Sequence, residues 1–125
     1  MRNFRDLTIW QDAVWYAKNI YALCESLPSS EKYGLTSQLC RAAVSIPSNI
    51  AEGCSRASEK DFKHFLEISI GSAFELETQL IIVAEIGFVK KTTVEERLTE
   101  LHTLQAKINA FIGKINDRGK TGVGV

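Results

Sequence analysis

The stretch LTSQLCRAAVSIPSNIAEGCSR, from Leu35 to Arg56, restricts the fold more than any other part of the chain. Gln38, Arg41, Ser45, Asn49 and Glu52 recur at steps of three and four, so a helix aligns all five on one stripe. Beside that stripe run Leu35, Leu39, Ala42, Ala43, Ile46, Ile50 and Gly53, an apolar seam flanked by hydrogen-bonding groups. Such a helix needs two neighbours, one for each surface. Pro47 lies inside the pattern, where it removes an amide donor and crowds the preceding turn. The reading is a continuous helix kinked near Pro47, with Ser45 and Ser48 placed to satisfy freed backbone groups. Its many small residues, Ala42, Ala43, Ser45, Ser48, Ala51 and Gly53, allow a neighbouring backbone to come close.

The rest of the chain supplies the neighbours. From Asp6, an N-cap or first-turn acid, Leu7, Trp10, Val14, Ala17, Tyr21 and Cys24 follow heptad spacing towards a stop at Pro28. Ser29 or Ser30 is expected to cap the helix that contains Pro47. Ser58 with Asp61 resembles a capping box and starts a third helix after a tight turn near Ala57. That helix carries Phe62, Leu66, Ser69, Ala73, Leu76, Leu80 and Val83 as its seam and stops at Gly87. Thr92 or Thr93 opens a fourth, with Val94, Leu98, Leu101, Leu104, Ile108, Phe111, Ile112 and Ile115. From Asp117 the sequence DRGKTGVGV loses periodicity. The fold expected is all-α: one antiparallel up-down-up-down four-helix bundle over residues 1–116, followed by a flexible tail, 117–125.

A tight turn between the second and third helices sets Arg41 opposite Glu75, Gln38 opposite Thr78, Ser45 opposite Gly71 and Glu52 near Lys63. Gln38, Arg41, Ser45, Asn49, Glu52, Ser72 and Glu75 then form a polar ladder, read as hydrogen bonding that holds register rather than as a ligand pocket.

Chemistry is harder to find. Asp61-x-x-His64 stands alone and His102 has no acid three residues before it, so the paired motifs of a di-iron bundle are missing. Nothing places a base beside an activated Ser or Cys either. No metal, cofactor or catalytic residue is expected, and the chain reads as a non-enzyme. Cys24, Cys40 and Cys54 are an odd set inside helical patterns and read as free thiols in a reducing compartment. The opening residues lack a secretory pattern and the longest apolar run, Leu80 to Ala84, is too short to span a bilayer, which points to the cytoplasm.

Fifteen basic residues balance fifteen acidic ones, against bulk attraction to nucleic acid. Basic side chains nonetheless gather in the fourth helix and tail. Lys90, Lys91, Arg97, Lys107, Lys114, Arg118 and Lys120 are the candidates for phosphate contact, interspersed with Glu95, Glu96 and Glu100. Trp15, Tyr16, Ile70, Phe74, Ile81 and Ile82 exceed what one bundle can hide and are the candidate oligomer interface.

Three runs also resemble a known family. They are EKYGLTSQ, with Glu31, Gly34, Leu35 and Gln38; RAAVSIPSNIAEGCSR, with Arg41, Ala42, Ser45 to Pro47, Asn49 to Gly53 and Arg56; and HFLEISIGSAFELE, with Phe65, Leu66, Gly71, Ser72 and Glu75 to Glu77. Leu7 and Trp10 to Ala13 match its opening. The chain is similar to the four-helix-bundle proteins encoded in intervening sequences of bacterial 23S ribosomal RNA, the S23 type, over roughly residues 4–115. The resemblance implies a homopentameric ring without enzymatic activity. It also implies kinship with retroelement accessory variability proteins, which are strongly basic and bind nucleic acid, whereas this chain has zero net charge. The leading expectation is therefore a cytoplasmic homo-oligomeric scaffold or adaptor. The alternative is binding of structured RNA through a basic surface of the oligomer.

Overall fold

The computed structural model describes residues 2–120. A 3-10 turn, Phe4–Asp6, leads into four helices: α1 Thr8–Cys24, α2 Leu35–Cys54, α3 Glu59–Ile86 and α4 Lys91–Lys120. No strand occurs among the described residues. Each helix packs against two others, α1 on α2 and α4, and α3 on α2 and α4, which is the four-helix bundle expected. The α2–α3 pairing is the most extensive and the α1–α4 pairing the sparsest.

Side-chain spacing accounts for the core. Leu39, Ile46 and Ile50 of α2, Leu66, Leu76 and Leu80 of α3, Leu101 and Ile108 of α4, and Ile20 of α1 are fully buried in one cluster. Steps of three, four and seven put each set on one face. Burying side chains of this size contributes roughly 1.5–3 kcal/mol apiece, offset by ordering entropy.

Local chemistry sets the helix ends. The Ser58 hydroxyl accepts from the Asp61 amide at 3.1 Å and starts α3. Gly87 ends it in the left-handed region, φ 93°, where its amide reaches back to the Val83 and Ala84 carbonyls. At the first boundary, Asn3 rather than Asp6 accepts the capping bond, and it caps the short 3-10 turn. α1 stops at Cys24, ahead of the expected limit at Leu27, although Leu27 is still buried. Ser29 and Ser30 do not cap α2 but fold with Glu31 into a 3-10 turn. α2 begins only at Leu35, whose amide donates to Glu31 Oε1 at 3.2 Å. Gly34 makes that geometry possible, since a Cβ there would stand 2.9 Å from the same oxygen.

α2 runs unbroken through a buried Pro47, the continuous helix expected. α4 runs to Lys120, so Asp117–Lys120, expected to open the flexible tail, continue the helix instead. Buried Ile115 anchors this last stretch, and Arg118 reaches Glu59 at 3.2 Å. Residues 121–125 of the expected tail lie outside the described residues.

Candidate functional site

The middle of the polar ladder exists. Ser45 and Ser72 hydroxyls meet at 2.8 Å across α2 and α3, one residue from the expected pairing of Ser45 with Gly71. The Asn49 amide donates to the Ser45 carbonyl at 2.9 Å and to its hydroxyl at 3.0 Å. These three half-buried residues hydrogen-bond among themselves.

The ends of the ladder do not close. Arg41, Gln38, Glu52 and Glu75 are exposed, and no ion pair joins Arg41 to Glu75 among the described residues. Arg41 instead borders a shallow depression with Tyr21, Lys32, Tyr33 and Val44, while Glu52 pairs with Arg56 on its own helix at 3.3 Å. The reason is angular. A stripe built from steps of three and four is broad, and Arg41 and Glu52 lie on its outer edge, rotated past the contact with α3. There a guanidinium or carboxylate stays hydrated, avoiding the desolvation that a buried pair must overcome.

Ser69 does what the ladder's ends do not. It lies in the middle of the α3 seam, fully buried, and its hydroxyl donates to the Ile46 carbonyl at 3.0 Å, immediately before Pro47. A lone serine in a seam otherwise filled by Phe, Leu, Ala and Val is the visible signal. Close approach comes from Gly53, not Gly71. A Cβ on Gly53 would stand 2.8 Å from Phe65 Cβ and 3.0 Å from Phe62 Cδ1, whereas one on Gly71 would meet nothing within 4 Å.

Tyr16 leaves the candidate interface. It is 2% exposed, and its hydroxyl donates to the Arg97 carbonyl of α4 at 2.7 Å. Burial, reinforced by the nearby Glu100 carboxylate, pushes its phenol well above the usual range. A tyrosine supplies both a large apolar ring and a polar tip, so it suits a seam whose outer edge is wet. That edge is a cleft of about 230 Å³ between α1 and α4, lined by Asp12, Trp15, Tyr16, Glu100, Thr103, Leu104 and Lys107 and overlooked in the sequence.

The other apolar candidates stay outward. Trp15 is 52% exposed, Phe74 61%, Ile81 45% and Ile82 41%, while Ile70 is half-buried against the core. Ile70, Phe74 and Ile81 share one stripe, on the flank of α3 where Glu77 pairs with His102 of α4 at 3.1 Å. Ile82 shares a second stripe with exposed Ile68 and Ile86, on the side of α3 away from the first.

The basic candidates are spread among acids. Arg97 pairs with Glu100 at 3.0 Å and Glu96 at 3.7 Å, Lys107 with Asp12 at 2.8 Å, and Arg118 with Glu59 at 3.2 Å. Lys90, Lys91 and Lys114 are exposed. Glu59 also holds Arg2 through two bonds of 2.6 and 2.8 Å, and the Arg2 guanidinium lies over the Phe62 ring at 4.3 Å. The hydrogen bond from Arg2, ahead of its charge and that of Arg118, holds the Glu59 carboxyl below the usual range. Among the described residues no cluster of three or more His, Cys, Asp or Glu side chains is arranged to hold a metal. No described helix is long and apolar enough to cross a membrane.

Comparison with known proteins agrees with this geometry. Residues 5–110 match the family model of the 23S rRNA-intervening sequence protein. The chain belongs to this family. Among solved structures, the bundle superposes with a TM-score of 0.78 on a protein of unknown function from the S23 ribosomal protein family of Bacteroides thetaiotaomicron VPI-5482. The two are 22% identical, over 84% of this chain and 98% of the other, a likeness of fold. Comparison with curated proteins gave no match. The family's description names no enzymatic activity, and its match spans α1, α2, α3 and most of α4.

Proposed function

We propose that this member of the 23S rRNA-intervening sequence protein family is a non-enzymatic scaffold or adaptor that works as a cytoplasmic homo-oligomer. The observation that carries the reading is the placement of surplus apolar surface. Phe74 and Ile81 on one flank of α3, Ile82 on the other and Trp15 on α1 are each exposed by 41% or more in a single copy. Contiguous apolar surface on a soluble bundle marks a contact site. Unlike patches on one subunit suit a head-to-tail interface, in which one face of each copy meets a different face of the next and rotation closes a ring. The resemblance drawn from the sequence implies a pentameric ring.

Sedimentation velocity or light scattering at micromolar concentration tests this. A multiple of the chain mass is expected, with Phe74→Glu and Ile81→Glu each shifting it towards monomer while leaving the helical spectrum unchanged. A wild-type monomer refutes it. Structured RNA binding is the competing reading, and ion pairing at Arg97, Lys107 and Arg118 disfavours it. An RNA titration over a salt series separates the two, because phosphate contact requires affinity to fall steeply as salt rises.

A further inference from the structure

Two cysteines, one buried and one half-buried, meet where α1 packs on α2. Cys24 is the last residue of α1 and Cys40 lies in the second turn of α2, and their sulfurs are 3.8 Å apart, the Cys40 thiol donating to Cys24. Both are free thiols. A disulfide requires the sulfurs to close to about 2.05 Å, a movement for which Cys24 is well placed, because α1 ends there and the chain turns through Glu25, Ser26 and Leu27. The pair is not sealed. Lys18, Tyr21, Ala22, Glu25 and Thr36 line a shallow surface depression with both cysteines in its wall. Cys54 differs on each count, being 2% exposed and without a thiol partner among the described residues.

We propose that Cys24 and Cys40 form a thiol–disulfide exchange site, which takes a small disulfide of the glutathione class and keeps its oxidation as a bond stapling α1 to α2. The Cys40 thiolate attacks one sulfur of oxidised glutathione, forming a mixed disulfide and releasing one glutathione. Cys24 then gives up its proton and attacks the Cys40 sulfur, releasing the second glutathione. Two electrons pass from the cysteine pair to glutathione, and both thiol protons end on the two glutathiones. Cys40 opens the exchange because it is the more exposed of the two. Burial, with the neighbouring Cys40 sulfur, pushes the Cys24 thiol up to about 12, so Cys24 keeps its proton and does not open the exchange. The bond closes a chain segment that contains the Ser29–Glu31 turn and exposed Tyr33, so it restricts the connection between the first two helices.

The full chain, equilibrated in glutathione buffers of rising oxidised fraction, alkylated and mapped by mass spectrometry, tests this. Two of the three cysteines are expected to be lost to alkylation together, in a linked Cys24–Cys40 peptide that dithiothreitol reverses. Cys54→Ser leaves this unchanged, and Cys24→Ser traps glutathione on Cys40. The oxidised protein is expected to melt several degrees higher than the reduced one. A wild-type chain that carries glutathione on Cys40 without linking Cys24 overturns the proposal. So does a link through Cys54, or an oxidised form that melts lower.

Discussion

The α2–α3 seam and the α1–α4 seam hold the same bundle on different terms. Between α2 and α3 the small residues Gly53, Ser69 and Ala73 are buried, and the Ser45–Ser72 and Ser69–Ile46 hydrogen bonds cross from one helix to the other. Between α1 and α4 the helices stand further off. A tyrosine ring fills the space, its hydroxyl caps a carbonyl, and a cleft edged by the Asp12–Lys107 pair at 2.8 Å stays open to water. Backbone proximity makes the first seam intolerant of added volume and the second tolerant. The first fixes register, and the second is where the bundle gives.

The largest expected effect is at Gly53. Alanine in a helix interior normally stabilises relative to glycine by about 1 kcal/mol, but here the new Cβ meets Phe65 Cβ at 2.8 Å, an atom held close to its backbone. Gly53→Ala is expected to cost about 1–3 kcal/mol in urea unfolding. Gly71→Ala, with open space around it, is expected to be neutral or to stabilise by up to about 1 kcal/mol. Equal effects at both glycines would erase the distinction between a tight face of α3 and an open one.

Next comes Tyr16→Phe, which removes the bond to the Arg97 carbonyl and is expected to cost about 1 kcal/mol. Its pH signature is separate. The folded phenol titrates above the unfolded one, so its contribution is complete below about pH 10 and is lost as pH rises towards the folded value. Wild type should therefore lose stability in strong alkali more steeply than Tyr16→Phe. Superimposable alkaline profiles would show that the seam is wetter than its geometry implies.

Smaller again is the fastening of Arg2 and Arg118 on Glu59, at the end of the bundle where the chain's first residues meet α3 and α4. Because the folded Glu59 carboxyl titrates low, its contribution is present above the ordinary carboxylate range and disappears as pH falls through the folded value. The carboxylate is half exposed, so solvent screening holds Glu59→Gln to less than about 1 kcal/mol at neutral pH. Chemical denaturation at pH 7 and pH 3 should show the difference between variant and wild type shrinking in acid.

The smallest effect is at the outer edge of the ladder. Arg41→Ala, Glu75→Ala and the double variant should each lie within about 0.5 kcal/mol of wild type, with no coupling between the two sites. Coupling of about 1 kcal/mol or more would restore the Arg41–Glu75 pairing that the spacing alone suggested.

That pair shows where sequence reading stops. Periodicity was enough to find all four helices, the bundle and the register of α2 on α3 to within one residue at Ser45, because the core period is read directly from which residues are apolar. Spacing also found Ser45, Asn49 and Ser72. It misjudged Arg41 and Glu75 because a polar stripe has no sharp edge in sequence, and the few tens of degrees that separate a buried from a hydrated position depend on how two helices cross. Tyr16 failed for a related reason: an aromatic ring at a helix flank reads as surplus until the neighbouring carbonyl that receives its hydroxyl is known. The tail is expected from Asp117 because apolar periodicity ends there, whereas α4 runs on to Lys120 beyond the buried Ile115.

The account rests on the α2–α3 pair being the most stable unit of the bundle, and native-state hydrogen exchange measures this directly. The slowest amides are expected in α2 around Ile46–Ile50 and in α3 around Leu66–Ala73, exchanging only when the whole domain unfolds, with α1 amides around Ala13–Ala17 exchanging through a lower-energy opening. Protection in α1 equal to or greater than that in the α2–α3 pair would contradict it.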